Sequence, residues 1–236
     1  GVKDKEYQTG FNFTRPYYDY QLMYPQKRMM DLLEFYYYTQ STHLSDMADY
    51  IKNNISFQGL LVGNNDYTNI LDPYSNKNFN LTSRHSYWDY PDFIDITHIR
   101  MYNDSVFDRP YYNPVIANSI TNVKGMPLVN TEWNTYPFNA YDYESSIMMP
   151  IYSDFLDYDG AMLFQASTFK NVPEEGKFPR LMQFDSYADP MRMSLLLAGS
   201  LIYRHSIMEK STDEIVLPIN HTEVLDQALY ELNRRF

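Results

Sequence analysis

The sequence predicts an α/β fold built from parallel βα units. Short apolar runs alternate with segments of helical period, and each run ends in a polar or aromatic cluster. The chain has 236 residues, 44% of them hydrophobic and 17% aromatic, enough for one sizeable core. A complete eight-stranded barrel typically takes about 250 residues. Only four strand units can be counted here, which leaves half a barrel or an open four-stranded sheet.

Residues 1–26 read as loop, with Gly1, Gly10, Pro16 and Pro25 around an aromatic cluster. A helix is expected over 27–53, because Leu33, Tyr37, Gln40, Leu44, Met47 and Ile51 recur on one helical face. The first strand is Phe57–Val62, running into Gly63, Asn64, Asn65 and Asp66. The second is Leu81–Trp88, whose end carries His85, Tyr87 and Trp88. A Pro- and Asp-rich excursion over 89–111 precedes a helix at Asn113–Val123 with Pro114 in its first turn. The third strand, Leu128–Thr131, leads straight into Glu132, Trp133 and Asn134. A helix over 142–157 follows in spite of Pro150, then a fourth strand at Ala161–Ala166 ending in Gln165. Asp189 and Pro190 form an N-cap and N1 pair opening an apolar helix to about Tyr203. Beyond it come a short strand at Ile215–Leu217 and a helix at Glu223–Asn233. The expected organisation is a loop-rich 1–26, a βα body over 27–210, and a further segment or extension over 211–236.

Several function classes are disfavoured. A net charge of -11 argues against nucleic acid and anionic membrane surfaces as partners. The longest apolar run, residues 195–203, is far short of the roughly 20 residues of a membrane span. With no Cys there are no thiolate metal sites or cysteine nucleophiles. No basic start followed by an apolar stretch marks a signal peptide. No Gly-rich loop follows a strand, so no nucleotide cofactor is expected, and the His spacing supports no metal. The wealth of Tyr and Asn suits polyhydroxylated ligands, although coding bias accounts for it equally well.

In parallel α/β folds ligands bind at the carboxyl ends of the strands. Here those ends hold Asn64 and Asn65, His85 and Tyr87, Glu132 and Asn134, and Gln165. Glu132 is the sharpest case, a carboxylate following an apolar run and flanked by Trp133. Unless well hydrogen-bonded or functional, such a group costs free energy. It is either a cap for the next helix or a nucleophile or base oriented by a Tyr or His of the neighbouring strand. Trp88 and Trp133 suit either sugar stacking or core packing.

Met47–Lys52, Leu61–Asn65, His85–Pro91, Pro127–Asn134 (PLVNTEWN) and Asp159–Phe164 together resemble the second half of a retaining glycoside hydrolase of clan A. The resemblance covers about residues 27–207 and is strongest around Thr131–Asn134. It implies a partial TIM barrel, strands 5–8 with their helices. It also implies a nucleophile, Glu132, ending strand 7, with Tyr87 and His85 from strand 6 beside it. Asn64, Asn65, Trp88, Trp133, Asn134 and Gln165 would line the sugar site. The implied substrate is a β-linked polysaccharide or oligosaccharide, which favours an extracellular, periplasmic or cell-surface setting. The chain departs from the family in two places. No Asn-Glu dipeptide supplies the acid/base, and Phe164 stands where a Trp is common. Retention needs two carboxyl groups about 5–5.5 Å apart, so the acid/base is expected outside this chain, with Glu174 or Glu175 a weaker source. Glu6 has no strand before it, and Glu144 is expected to be solvated. Asp89 and Asp92 are expected to bind sugar hydroxyls or shape the loop. The expected partner is then the other half of the barrel or a second copy, and the chain alone should be inactive. A non-catalytic carbohydrate-binding or assembly protein on the same scaffold, and a doubly wound domain with another carboxylate site, are the alternatives.

Overall fold

The computed structural model describes residues 25–66, 70–93, 98–110, 113–120, 122–167, 184–187 and 189–233. Among them are six α-helices, a parallel three-stranded sheet, a two-residue strand at Asn65–Asp66 and an antiparallel pair of two-residue strands, Asp92–Phe93 with Ile99–Arg100, a mixed α/β architecture. In chain order the α-helices and the strands of the three-stranded sheet are α1 (Gln26–Asp49), α2 (Leu71–Ser75), β1 (Thr82–Trp88), α3 (Pro114–Ile120), β2 (Leu128–Thr135), α4 (Glu144–Phe155), β3 (Gly160–Leu163), α5 (Pro190–Arg204) and α6 (His221–Asn233). They fall into two compact units, one of residues up to Asn80 with those from Val216 onward, the other Leu81–Ile215. These divisions differ from the expected body at 27–210, because the C-terminal helix belongs with the first helices.

In the first unit α1 packs on α6 and α2 through Met29, Leu33, Leu71, Val224, Leu225, Ala228 and Leu229. Only the first part of the α1 stripe is used: Leu33 is buried, whereas Met47 is exposed. The helix widens into a π turn at Tyr50–Asn54, close to the expected end. The strand expected at Phe57–Val62 does not form. Its backbone is tied to Asn80, with Leu61 N donating to Asn80 Oδ1 (2.9 Å) and Asn80 N to Leu61 O (3.1 Å). Phe57, Leu60 and Val62 are exposed, so apolar composition was read as burial where a side-chain clamp holds a loop.

The second unit shows the expected parallel βα arrangement in its coarse form. β1, β2 and β3 lie side by side in sequence order, parallel, with helices as the connections. Each strand sends one face to the helices. Trp88, Val106, Val115, Trp133, Met148 and Met149 form that core, with Ala161, Leu163 and Leu196 against it. Helices α4 and α5 approach closely at Gly199, where an added Cβ would lie 3.0 Å from Pro150 Cγ and 3.1 Å from Ser146 O. Pro150 is thus accommodated inside α4 because the facing residue has no side chain.

Two strand ends differ from expectation. β2 continues to Thr135, so Glu132 lies within it rather than after it. β3 stops at Leu163, before a cis peptide between Phe164 and Gln165. The backbone there bonds to residues 184–187 instead, with Gln165 N donating to Phe184 O and Tyr187 N to Ala166 O. No strand forms at Ile215–Leu217, whose side chains are exposed. The cap of α5 is the expected one: Asp189 Oδ1 accepts from Met191 N at 2.9 Å and Arg192 N at 3.0 Å. Asp189→Ala leaves both donors without that acceptor. It should cost about 1 kcal/mol, read as a lower urea midpoint at unchanged slope.

Candidate functional site

The site is made by a register shift between β1 and β2. Arg84 lies opposite Asn130, but the next residue of β1, His85, lies opposite Glu132. Thr131 is therefore the extra residue of a bulge, and the β2–β3 pairing shifts across the same stretch, between Asn130 and Trp133. Successive strand residues face opposite ways. With an unbroken ladder, Asn130 and Glu132 would share the helix-facing side. The bulge turns Glu132 to the other face, the one that carries His85 and Tyr87, and leaves Trp133 on the helix side with Trp88.

Three sequence-predicted residues meet there. The Tyr87 hydroxyl donates to Glu132 Oε2, and His85 Nδ1 lies 3.2 Å from the same oxygen. Glu132 stays partly exposed, with 31% of its side chain accessible, and His85 is more enclosed. Both partners fall on Oε2, so neither of them engages Oε1. The chemistry available is that of an oriented carboxylate with one oxygen held and the other clear of those two partners.

Behind it stands a buried polar support. Asn134 Nδ2 donates to Phe164 O and to Phe184 O (2.9 Å), and its Oδ1 accepts from Arg192 Nη2. Arg192, wholly buried on α5, also reaches Thr135 O at 3.4 Å and lies 3.6 Å from Asp142. Burial pushes the Asp142 carboxyl up to about 6, with the Asp189 charge adding to the rise, and the Arg192 cation pulls it only part of the way back. Burial likewise lowers the Arg192 pKa, against the pull of Asp142 and Asp189. This network ties the end of β2 to α5 and to the segment at Phe184.

The remaining predicted residues are placed differently. Trp88 and Trp133 are 3% and 1% exposed within the core, so neither offers a face to a sugar. Trp88 Nε1 is bonded to Asp104 O at 2.9 Å. Trp133 borders a cavity of about 290 Å³ with Pro150, Leu163, Leu196 and Arg204, which lies in the helix layer on the opposite side of β2 from Glu132. Asn134 is buried and structural rather than substrate-facing. Gln165 sits at the rim, its Nε2 3.3 Å from Asp185 Oδ1. Asn64 and Asn65 belong to the other compact unit, where Asn64 Nδ2 donates to Asp72 at 2.8 Å. Asp89 shapes the following loop by accepting from Tyr102 N, Asn103 N and Asn139 Nδ2, and Asp92 makes a surface pair with Arg100. Glu144 is not simply solvated, since it accepts from Ser105 Oγ (2.7 Å) and Val106 N (3.0 Å). Glu6, Glu174 and Glu175 lie outside the described residues. Among the described residues no group of three or more acidic or His side chains is placed to hold a metal ion.

Sequence reasoning missed Phe184, Tyr90 and the Arg192–Asp142 pair. A signal for the pair existed, since Arg192 is the only basic residue before Arg204 in an otherwise apolar helix. No family model, curated protein or solved structure matches the chain.

The Asp142 carboxyl gives the site a pH signature. Its folded pKa lies above the ordinary 3.8, so the native state binds the proton more tightly and gains stability as pH falls from about 6 toward 4. Relative to Asp142→Asn, which cannot titrate, the wild type should become progressively more stable over that window. Urea unfolding of both proteins at pH 7, 6, 5 and 4 measures the difference, and an unchanging difference would contradict the assignment.

Proposed function

We propose that this chain is part of a retaining glycoside hydrolase acting on a β-linked oligosaccharide or polysaccharide, with Glu132 as its nucleophile. One observation carries the reading: a carboxylate in the carboxyl half of the middle strand of a parallel sheet, its Oε2 held by Tyr87 and His85 of the adjacent strand. On this reading the unit of β1, β2 and β3 is a piece of a (β/α)8 barrel, and the strands in sequence order support it.

The proposed mechanism is double displacement. Glu132 Oε1 attacks the anomeric carbon, the bond to the leaving oxygen breaks, and that oxygen takes a proton from an acid supplied by a segment outside those described. Water then attacks the glycosyl ester, the same group now accepting its proton, and Glu132 is released. Tyr87 and His85 hold the attacking carboxylate in line, which is where orientation removes much of a barrier. If that acid lies outside this chain, as the sequence leads one to expect, the chain by itself should turn over no natural substrate.

The nucleophile is testable apart from the acid. A 2-fluoro glycoside whose leaving group is fluoride or dinitrophenolate departs without a proton. Incubated with the 236-residue chain, members of a glucosyl, xylosyl and mannosyl set should add one fluoroglycosyl group to the peptide containing Glu132, read by mass. Glu132→Ala should take no label. Tyr87→Phe should label about a hundredfold more slowly, the loss that misplacing an attacking group brings. Label on another residue sinks the assignment. Sugar binding without label supports a non-catalytic carbohydrate-binding protein instead.

A further inference from the structure

The carboxylate stands at one end of an aromatic cluster, of which the nucleophile assignment uses only Tyr87. Phe184 is its hub. The ring centroids of Tyr87, Tyr136, Tyr90 and Phe164 lie 5.0, 5.5, 5.9 and 6.0 Å from it, and Tyr136 passes the contact on to Phe138 at 5.6 Å. Tyr87, whose hydroxyl meets Glu132, is the inner ring. Tyr90 stands beyond it, edge-on to Tyr87 at 5.6 Å and nearly parallel to Phe184, with an interplanar angle of 30°. Phe184 and Tyr136 are buried, whereas Tyr90 is 47% exposed.

An aromatic ring this exposed, backed by a buried ring and standing one ring away from an oriented carboxylate, is an informative departure from ordinary surface. The backing is fixed. Phe184 O accepts from Gln165 N (3.2 Å) and Asn134 Nδ2 (2.9 Å), and Asn134 is itself held by Arg192. Tyr90 is thus presented on a rigid support, which lowers the ordering cost of binding. The flat C–H face of a sugar ring matches the face of Tyr90, and the phenol oxygen offers a hydrogen bond to its hydroxyls.

We infer that Tyr90, backed by Phe184, is the stacking platform of a second sugar subsite beside Glu132, so that the site takes a β-linked chain of several sugars rather than a single one. This rests on the glycoside reading of Glu132 and adds the length of its ligand. In binding terms, a monosaccharide touches only the carboxylate end, whereas the next sugar along the chain gains the Tyr90 face.

The test is titration calorimetry of the 236-residue chain with β-1,4-linked gluco-, xylo- and manno-oligosaccharides of one to four sugars. In one series affinity should rise about tenfold once the chain reaches the Tyr90 face, the size expected for one well-backed stacking contact. Tyr90→Ala and Tyr90→Leu should abolish that rise, and Tyr90→Phe should restore most of it. The leucine variant keeps apolar bulk without a flat face, and each variant's melting curve is recorded to show that it folds. Equal affinity at every length, a length dependence untouched by Tyr90→Leu, or no binding in any series overturns the subsite. The fluoroglycoside label separates the two readings. Label on Glu132 without a Tyr90-dependent length effect overturns the subsite alone, whereas a Tyr90-dependent length effect without label keeps the subsite and removes the catalytic role.

Discussion

The single extra residue at Thr131 governs the arrangement of everything at the carboxyl edge of the sheet. Strand periodicity ties each side chain to one face, so a residue's neighbours are set by register before any side-chain preference acts. Up to Asn130, β2 matches β1 residue for residue; beyond Thr131 it is displaced by one. That displacement places Glu132 opposite His85 and two residues from the level of Tyr87, while Trp133 and Trp88 stay together in the helix-side core. A bulge that costs part of a ladder is retained where it re-aims a side chain. Here it does both jobs at once: the large apolar indole goes inward, and the carboxylate goes to the face with two polar partners.

A carboxylate turned to that face needs a rigid strand end, and the buried Asn134–Arg192–Asp142 network supplies one. Burying an arginine is costly unless its donors find acceptors. Arg192 finds Asn134 Oδ1 and Thr135 O, with Asp142 nearby. Burial nevertheless holds Asp142 well above the ordinary carboxyl range, so the pair is not arranged for maximum stability. What it achieves is geometric. The end of β2, the first turn of α5 and the backbone at Phe184 are tied to one guanidinium and one amide, and the aromatic hub is thereby fixed relative to Glu132.

Much of the sheet was legible in the sequence because its signals were local and mutually consistent. The Asp189–Pro190 start of α5, the Pro114 start of α3, the strand ending at Trp88 and the strand beginning at Leu128 all rest on short-range chemistry. That a Tyr or His of the neighbouring strand would orient Glu132 followed from polar residues at adjacent strand ends, and the choice of Tyr87 and His85 from the family resemblance. What could not be read was which face a residue takes past the bulge. The burial of Trp133 is decided by the bulge, and no composition cue distinguishes a bulge from one more strand residue; Trp88, by contrast, alternates with His85 and Tyr87 along β1, so its face was open to reading. Phe57–Val62 failed for a related reason: its apolar residues satisfy a strand pattern, but Asn80 binds its backbone instead. Phe184 was missed because its role comes from contacts with residues up to 97 positions away in sequence, such as Tyr87.

The third strand bears on how the proposed reaction would be completed. Among the described residues β3 lies at the edge of the sheet, and Met162 on it is exposed. Parallel strands are normally covered and paired on both sides, and an apolar parallel edge is a place for another strand. Beside it α5 exposes Leu197 and Leu201, and the helix layer there contains the cavity bordered by Leu163 and Leu196. On the glycosidase reading, edge, helix face and cavity together would be the surface that meets a further βα unit. The proposed mechanism asks for the same thing on chemical grounds. A retaining pair needs its second carboxyl about 5–5.5 Å from the first, on the face of the sheet where the bulge has put Glu132. On the glycosidase reading, the packing of β3 and the chemistry of Glu132 therefore call for the same addition: neighbouring strands that close the sheet and bring the acid to the Oε1 side of Glu132.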